Sequence, residues 1–400
     1  MRPNDALNGG YGSVKAGTSQ NLSLPGFPSR SLSLPVSSQS TVLGGQHQKK
    51  NFASAVDSEQ LVVNISNGLL EGNRFMLSKA ITMSESTRED HRQMAMKILN
   101  RTLQARAAEN DKSGKSTLRI GISGPPGVGK SSFIEVVGQA LIKQGESVAV
   151  IAVDPSSYVS GGSILGDKTR MSDLSVHENA YVRPCATGGH LGGLAQHTDE
   201  IVSLCEAAGY STVIIETVGV GQSEILVTQV ADMCVLLLPP AGGDELQGIK
   251  RGIVETADLV VINKADGDLL LPAKRAQAEY RMALQVVRGA GRPRNWWYPE
   301  VITCSTKMKE GIDEVLTVAG RFQELANEQG ELQRRRGEQR SQWMWRKAEE
   351  DLVEMLRSSA AAKAKAASLQ AELARSAFSP RVAALELLNS FLSESKAATK

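Results

Sequence analysis

Cysteine, histidine and long apolar runs are all scarce in this chain of 400 residues, and each scarcity argues against a class of function. The four cysteines, Cys185, Cys205, Cys234 and Cys304, are scattered with no CxxC pair. That speaks against a disulfide framework and a thiolate zinc site, and fits a reducing compartment. The five histidines, His47, His91, His177, His190 and His197, are dispersed rather than gathered into a metal-binding tract. No apolar run approaches the roughly 18 residues that span a bilayer, and the longest, such as Ser147 to Val153, are strand-sized. Neither sign of charge is in excess. With 45 Lys and Arg against 43 Asp and Glu, the net charge of +2 leaves no electrostatic footprint for nucleic acid.

Acid is nearly absent from the first fifty residues, where Asp5 stands alone among nine serines and a repeated Leu-Ser-Leu-Pro. Such a segment buries too little apolar surface to order itself. Its composition is that of an organellar transit peptide, with an untargeted tail as the alternative. Taken whole, the chain has an ordinary globular composition, 41% hydrophobic and 22% charged.

Within it, Gly124-Pro125-Pro126-Gly127-Val128-Gly129-Lys130-Ser131 fits GxxxxGK(S/T), followed by Ser132. Glycines let the backbone wrap phosphates with its N–H groups turned inward. Lys130 then reaches the β- and γ-phosphates, and the Ser131 hydroxyl ligates Mg²⁺. The context is right: an apolar run, Thr117 to Ile122, precedes the loop, and Ser131 to Lys143 carries a helical stripe closed by Gly145.

Short β-branched runs recur downstream at Leu118–Ile122, Val148–Val153, Thr212–Glu216, Met233–Leu238, Leu259–Asn263 and Val301–Cys304, alternating with helical stretches. This pattern predicts an α/β fold, a mainly parallel sheet covered on both faces, with ligands at the carboxyl ends of the strands. A helical pattern occupies Leu61 to Asn110, followed by a polar break to Lys115. After Gly330 come a basic segment with Trp343-Met344-Trp345 and two helical tracts, Ala348 to Ala377 and Val382 to Leu392. These tracts form either a cap on the same domain or an arm that docks a second subunit. The expected organisation is a disordered segment 1–58, a helical extension 59–114, a nucleotide-binding domain 115–328 and a helical arm 329–400.

Asn263-Lys264-Ala265-Asp266 ends one of these strands and reads guanine: the Asp266 carboxylate accepts from ring N1–H and the exocyclic amine, donors that adenine does not present together. GTP and GDP are therefore the expected ligands. Ser305-Thr306-Lys307 sits where such proteins place a main-chain contact to guanine O6, with Thr306 in place of the usual Ala. Glu216-Thr217-Val218-Gly219 is where the carboxylate that orients the Mg²⁺ shell and the glycine contacting the γ-phosphate are expected. Val220 stands where Ras-type enzymes carry a water-orienting glutamine, so intrinsic hydrolysis is expected to be slow. Asp154, at a strand end, and Asp167, after Gly161-Gly162, are either further acids facing Mg²⁺ or the attacking water, or a turn cap and a solvated loop acid. The glycine-rich loops Gly188 to Gly193 and Pro239 to Asp244 supply either hinges or tight turns.

Several longer runs resemble one family closely: Val153 to Ser157, Gly161 to Met171, Glu216 to Glu224 and Gly243 to Lys250. That family comprises the methylmalonic aciduria type A protein and its bacterial counterparts, GTPases associated with methylmalonyl-CoA mutase, and the resemblance runs from about Leu61 to Phe391. It implies a SIMIBI-class P-loop GTPase with helical extensions at both ends and a homodimer formed through the C-terminal arm. It also implies GTP hydrolysis that gates adenosylcobalamin delivery to the mutase and guards the mutase. By position, Lys130, Ser131, Asp154, Asp167 and Glu216 line the Mg²⁺–phosphate site, and Asn263, Lys264 and Asp266 hold the base. Gly242, Gly243, Asp244, Gln247 and Lys250 fall in a switch segment coupling nucleotide to partner. A mitochondrial matrix location is expected, with cytoplasm as the alternative. Two competing readings are a metallochaperone GTPase and an ATPase or kinase serving basic amino-acid transport. The first usually carries His- or Cys-rich tracts, and Asn263 to Asp266 counts against the second.

Overall fold

The computed structural model describes residues 46–113, 116–154, 171–186, 197–217, 227–240, 256–288, 296–375 and 379–398. The chain divides into two units, Met1–Ala53 and Ser54–Lys400. Of the first, only the opening turns of helix α1 (Gln46–Leu70) are described, and all that follows concerns the second.

Seven strands form one parallel sheet: β1 (Leu118–Ser123), β2 (Val148–Asp154), β3 (Ala180–Ala186), β4 (Thr212–Glu216), β5 (Met233–Leu238), β6 (Leu259–Ile262) and β7 (Glu300–Thr303). Their order is β3-β2-β4-β1-β5-β6-β7, with register such as Ile122 opposite both Glu216 and Val235. The expected parallel α/β fold is therefore present, with one strand more than the sequence pattern suggested. β3 was not expected because Arg183 and Pro184 interrupt its apolar run. It lies at the sheet edge, pairing with β2 alone, and an edge is where a proline without an N–H is tolerated.

Both faces are buried, so alternate strand residues feed two cores. Leu118, Ile120, Ile122, Val148, Val150 and Ile214 point to one side. There they meet Phe133, Ile134 and Val137 of α4 (Lys130–Lys143) and Val315, Val318 and Phe322 of α8 (Ile312–Glu328). Ala149, Ile151, Val213 and Ile215 point to the other side, onto Ile201, Leu204 and Cys205 of α6 (Thr198–Ala207). α2 (Arg74–Ser84) and α3 (Glu89–Ser113) pack on α6. With Val62, Ile65 and Leu69 of α1 they extend that core by a further layer. The α3 helix continues to Ser113, through the first part of the polar stretch expected to break it. On the β5–β6–β7 side, α7 (Leu270–Arg288) covers Leu236, Val260 and Val301 with Ala273, Ala276, Tyr280 and Leu284. A single turn of helix, α5 (Ser172–Val176), seats Leu174 against Gly138 of α4.

The C-terminal helices are α9 (Glu331–Ser358), α10 (Ala360–Ala374) and α11 (Pro380–Ala398). α9 is one uninterrupted helix of 28 residues, about 42 Å long at 1.5 Å per residue. The break falls at Ser359, inside a tract expected to be continuous, because the Ser359 hydroxyl accepts from the Ala362 N–H and starts a new helix. Among the described residues no helix is long and apolar enough to cross a membrane.

The first half of α9 is fastened beneath the sheet, at the end opposite the strand termini that carry the sequence motifs. Arg336 donates to both oxygens of Asp232 and, at 2.6 Å, to Thr117 O. Arg335 donates to Asp232 O and to Asp258 Oδ2. Gln339 donates to Thr228 O and Ala231 O, and Trp343 Nε1 to Gln229 O at 2.8 Å. Trp343 is buried beneath the Arg119 guanidinium, whereas Trp345 is 65% exposed. The two tryptophans thus divide between capping their own domain and facing solvent.

Candidate guanine-nucleotide site

The phosphate loop joins β1 to α4 at the middle of the sheet. Gly124 has φ +154, and a Cβ there would lie 2.1 Å from Leu237 O, so only glycine lets the loop leave β1 so close to β5. α4 begins at Lys130 with Gly129 in a left-handed conformation as its N-cap. At the other end, Gly145 N–H reaches Ile142 O and Glu146 N–H reaches Leu141 O. This is the paired C-terminal closure that a glycine just beyond a helix permits. The exposed ends of the N–H groups in the first turn of α4, with the helix dipole behind them, make the loop a natural anion cradle.

The Lys130 side chain is buried and folds back along the loop, donating to Gly124 O at 2.9 Å and Pro125 O at 3.4 Å. Ser131 is also buried, and its hydroxyl donates to Glu216 Oε1 at 2.9 Å. Glu216 ends β4, the strand hydrogen-bonded to β1, which is why two residues 85 positions apart meet. Ser132, next on the helix, is exposed. Asp154 closes β2, the strand beyond β4, and so lies at the same sheet edge.

Two strands to the other side, Asn263 leaves β6 one residue earlier than the pattern suggested, and its side chain turns toward the phosphate loop. Asn263 Nδ2 donates to Val128 O at 2.9 Å, and Lys264 Nζ donates to Gly127 O at 2.8 Å. Lys264 adopts φ +62, a left-handed conformation unusual for a residue with a side chain. Asp266 Oδ2 accepts from the buried Ser305 hydroxyl at 2.5 Å, and that same hydroxyl oxygen takes the Met308 N–H. Thr306 reaches Asn263 as well, with Oγ1 donating to Oδ1 at 2.6 Å. Lys307 is exposed. From the sequence, Asn263 and Lys264 are expected to hold the base and Thr306 to offer a main-chain contact. The structure adds that these three side chains fasten the segment after β6 to the phosphate loop and to the segment after β7. Only the departure from Ala at position 306 could have signalled this.

Gly219, Asp167, Gly242, Gly243, Asp244, Gln247 and Lys250 lie outside the described residues, as does the side chain of Asp154.

This arrangement has counterparts among known proteins. The family described as "Methylmalonyl Co-A mutase-associated GTPase MeaB" matches residues 77–361. A mouse (Mus musculus) protein named "Methylmalonic aciduria type A homolog, mitochondrial" is 48% identical over 340 residues, covering 84% of this chain and 81% of its own. "GTPase ArgK" of Escherichia coli is 45% identical over 288 residues, covering 72% of this chain and 84% of its own. A solved structure described as LAO/AO transport system kinase superposes with a TM-score of 0.61 at 34% identity, over 83% of this chain and 97% of that one. The parallel sheet, the phosphate loop and these likenesses agree, and the chain belongs to the family of methylmalonyl-CoA mutase-associated GTPases.

Proposed function

We propose that this protein binds GTP and GDP with Mg²⁺, hydrolyses GTP slowly, and uses that cycle to gate adenosylcobalamin loading onto methylmalonyl-CoA mutase and to protect the mutase. The observation that carries the reading is the meeting, along one sheet edge, of Lys130, Ser131 and Glu216 with Asn263, Asp266 and Ser305. The name borne by the family supplies the partner.

In this reading the loop from Gly124 to Ser132 cradles the phosphates, with the backbone N–H groups of Gly127 to Ser132 as donors, and Lys130 swings from Gly124 O to the β- and γ-oxygens. Asn263, Lys264 and Asp266, with Ser305, Thr306 and Lys307, hold the guanine. Gly219 meets the γ-phosphate. Ser131 Oγ and the Glu216 carboxylate are hard oxygen donors within 2.9 Å of each other, a donor set that suits Mg²⁺. Asp154 and Asp167 would join them. Bound there, Mg²⁺ would offset the negative charge of the phosphates. With Val220 after Gly219, this chain supplies no glutamine there to orient the attacking water, so hydrolysis works as a timer. Gly242, Gly243, Asp244, Gln247 and Lys250 would pass the nucleotide state to the mutase.

Exposed Trp345, Leu352 and Met355 on α9, with Leu385, Leu388 and Leu392 on α11, favour a homodimer through the arm. The acid-poor, Ser-rich first fifty residues and the mitochondrial names of relatives favour the mitochondrial matrix over the cytoplasm.

The test is co-purification with methylmalonyl-CoA mutase in GDP and in a non-hydrolysable GTP analogue, alongside GTP turnover by the parent and by Lys130→Ala. We expect a complex that depends on the nucleotide and a variant with no measurable turnover. A complex indifferent to nucleotide, or near-normal turnover without Lys130, would overturn the reading.

A further inference from the structure

Asn263 Oδ1 is crowded with donors. It accepts the Thr306 hydroxyl at 2.6 Å, the Thr306 N–H at 3.3 Å and the Cys304 S–H at 3.5 Å. The opposite end of the same amide gives its N–H to Val128 O at 2.9 Å. The orientation of this amide is fixed by chemistry: a carbonyl oxygen only accepts and a backbone N–H only donates. With Oδ1 thus the acceptor, the Thr306 hydroxyl must be the donor, and at 2.6 Å it makes the shortest of the three contacts. Burial pushes the Cys304 thiol up to about 12, so it stays protonated as a weaker donor. Asn263 itself is 1% exposed, where a misaligned amide has no water to fall back on. Gly129 lies against the same amide: a Cβ there would sit 2.9 Å from Asn263 Nδ2.

We propose that the Thr306 hydroxyl is a positioning residue: by locking the Asn263 amide it fastens the guanine segment to the phosphate loop and so lengthens nucleotide residence. The proposal rests on the guanine-nucleotide reading above. Thr306 acts through Asn263 and not through the base, because its side-chain oxygen is committed to Oδ1. An alanine keeps the backbone N–H that the base contact requires but gives up the lock. Asn263 Oδ1 then keeps only the longer Thr306 N–H and Cys304 S–H contacts, so the amide is held less firmly and both halves of the site loosen together.

The experiment is release of N-methylanthraniloyl-GDP, chased with unlabelled GDP, from the full-length parent and from Thr306→Ala, Thr306→Val and Thr306→Ser. Loss of one neutral buried hydrogen bond corresponds to roughly fivefold faster release. We expect that acceleration in the alanine variant and in the isosteric valine variant, with serine returning the rate to near that of the parent. In an Asn263→Ala background, adding Thr306→Ala is expected to accelerate release no further, since the group it acts through is gone. An unchanged rate in Thr306→Ala, a valine variant that behaves like the parent, or a serine variant that fails to rescue would each overturn the proposal. A parent that does not retain the labelled GDP at all would instead overturn the nucleotide assignment, so the two failures are distinguishable.

Discussion

Under the proposed function, Asp266 bears on the choice of base more than any other side chain. Its carboxylate already has one oxygen engaged by the Ser305 hydroxyl, which orients the group before any ligand arrives. Asp266→Asn replaces an acceptor with a donor facing the guanine N1–H. The expected loss is about 1–3 kcal/mol of discrimination, a shift in the GTP over ATP preference of roughly five- to 150-fold, readable from competition binding. Unchanged discrimination would mean that the base is held elsewhere. The expectation for Asp266 rests on four residues following an apolar run. That Ser131 and Glu216 meet around one site is expected as well, but their direct hydrogen bond and the reach of Thr306 to Asn263 are not, because each depends on how the strands sit side by side. Sequence order puts β1 next to β2, whereas the sheet puts it between β4 and β5.

At the scale of elements, the clamp between α9 and the sheet stands out. Asp232 is fully buried, 0% exposed, and receives the Arg119 N–H as well as the Arg336 fork. Removing one partner of such a pair strands the other charge, at a cost of roughly 3–5 kcal/mol, far more than an exposed pair is worth. Arg336→Met should therefore lower the melting temperature by several degrees, while Arg334→Met, whose guanidinium pairs with Glu331 and Glu338 while half exposed, should change it little. Equal effects from the two would contradict the clamp. The apolar strands β1, β2, β4, β5 and β6 were legible because burial on both faces demands unbroken β-branched runs. β3 was obscured by Arg183 and Pro184, and the α9–α10 break by an alanine run that is helix-prone on either side of Ser359. Likewise the Asp232–Arg336 pair is invisible in sequence: an aspartate before a strand and an arginine in a basic helix both read as ordinary surface charge.

At the scale of the molecule, these buried acids set the pH response. Burial alone would push the Asp232 carboxyl up, but the Arg336 guanidinium with Arg119 behind it overrides this and holds it below its ordinary value. Glu200 is likewise opposed by burial, yet His197, Lys347 and Ser84 hold it at about 2. A carboxyl lowered in the folded state stabilises above its unfolded value, and that contribution is lost as pH falls through the folded value. Asp199, raised chiefly by burial, works in the opposite sense but lacks such a close partner: its nearest cation, Arg346, is 3.5 Å away. The parent's melting temperature should therefore fall as pH drops below about 4. The gap between parent and Arg336→Met should be widest at neutral pH and narrow on acidification, because a protonated Asp232 no longer needs its partner. A gap that stays constant from neutral to acid pH would show that packing, and not charge, holds α9 in place.

The strand order also has a consequence in time. β1, which carries the phosphate loop, has no partner until β4 and β5 exist, since Leu118 lies opposite Thr212 and Ile120 opposite Met233. Closing such distant pairs is slow compared with forming helices. On a ribosome, the P-loop must therefore wait unassembled while more than a hundred further residues are made. Asp232 and Asp258 wait in their turn, for arginines that emerge only at Arg335 and Arg336. The nascent chain thus meets its ligand only after β5 is made, and its sheet is closed from below only once α9 has emerged.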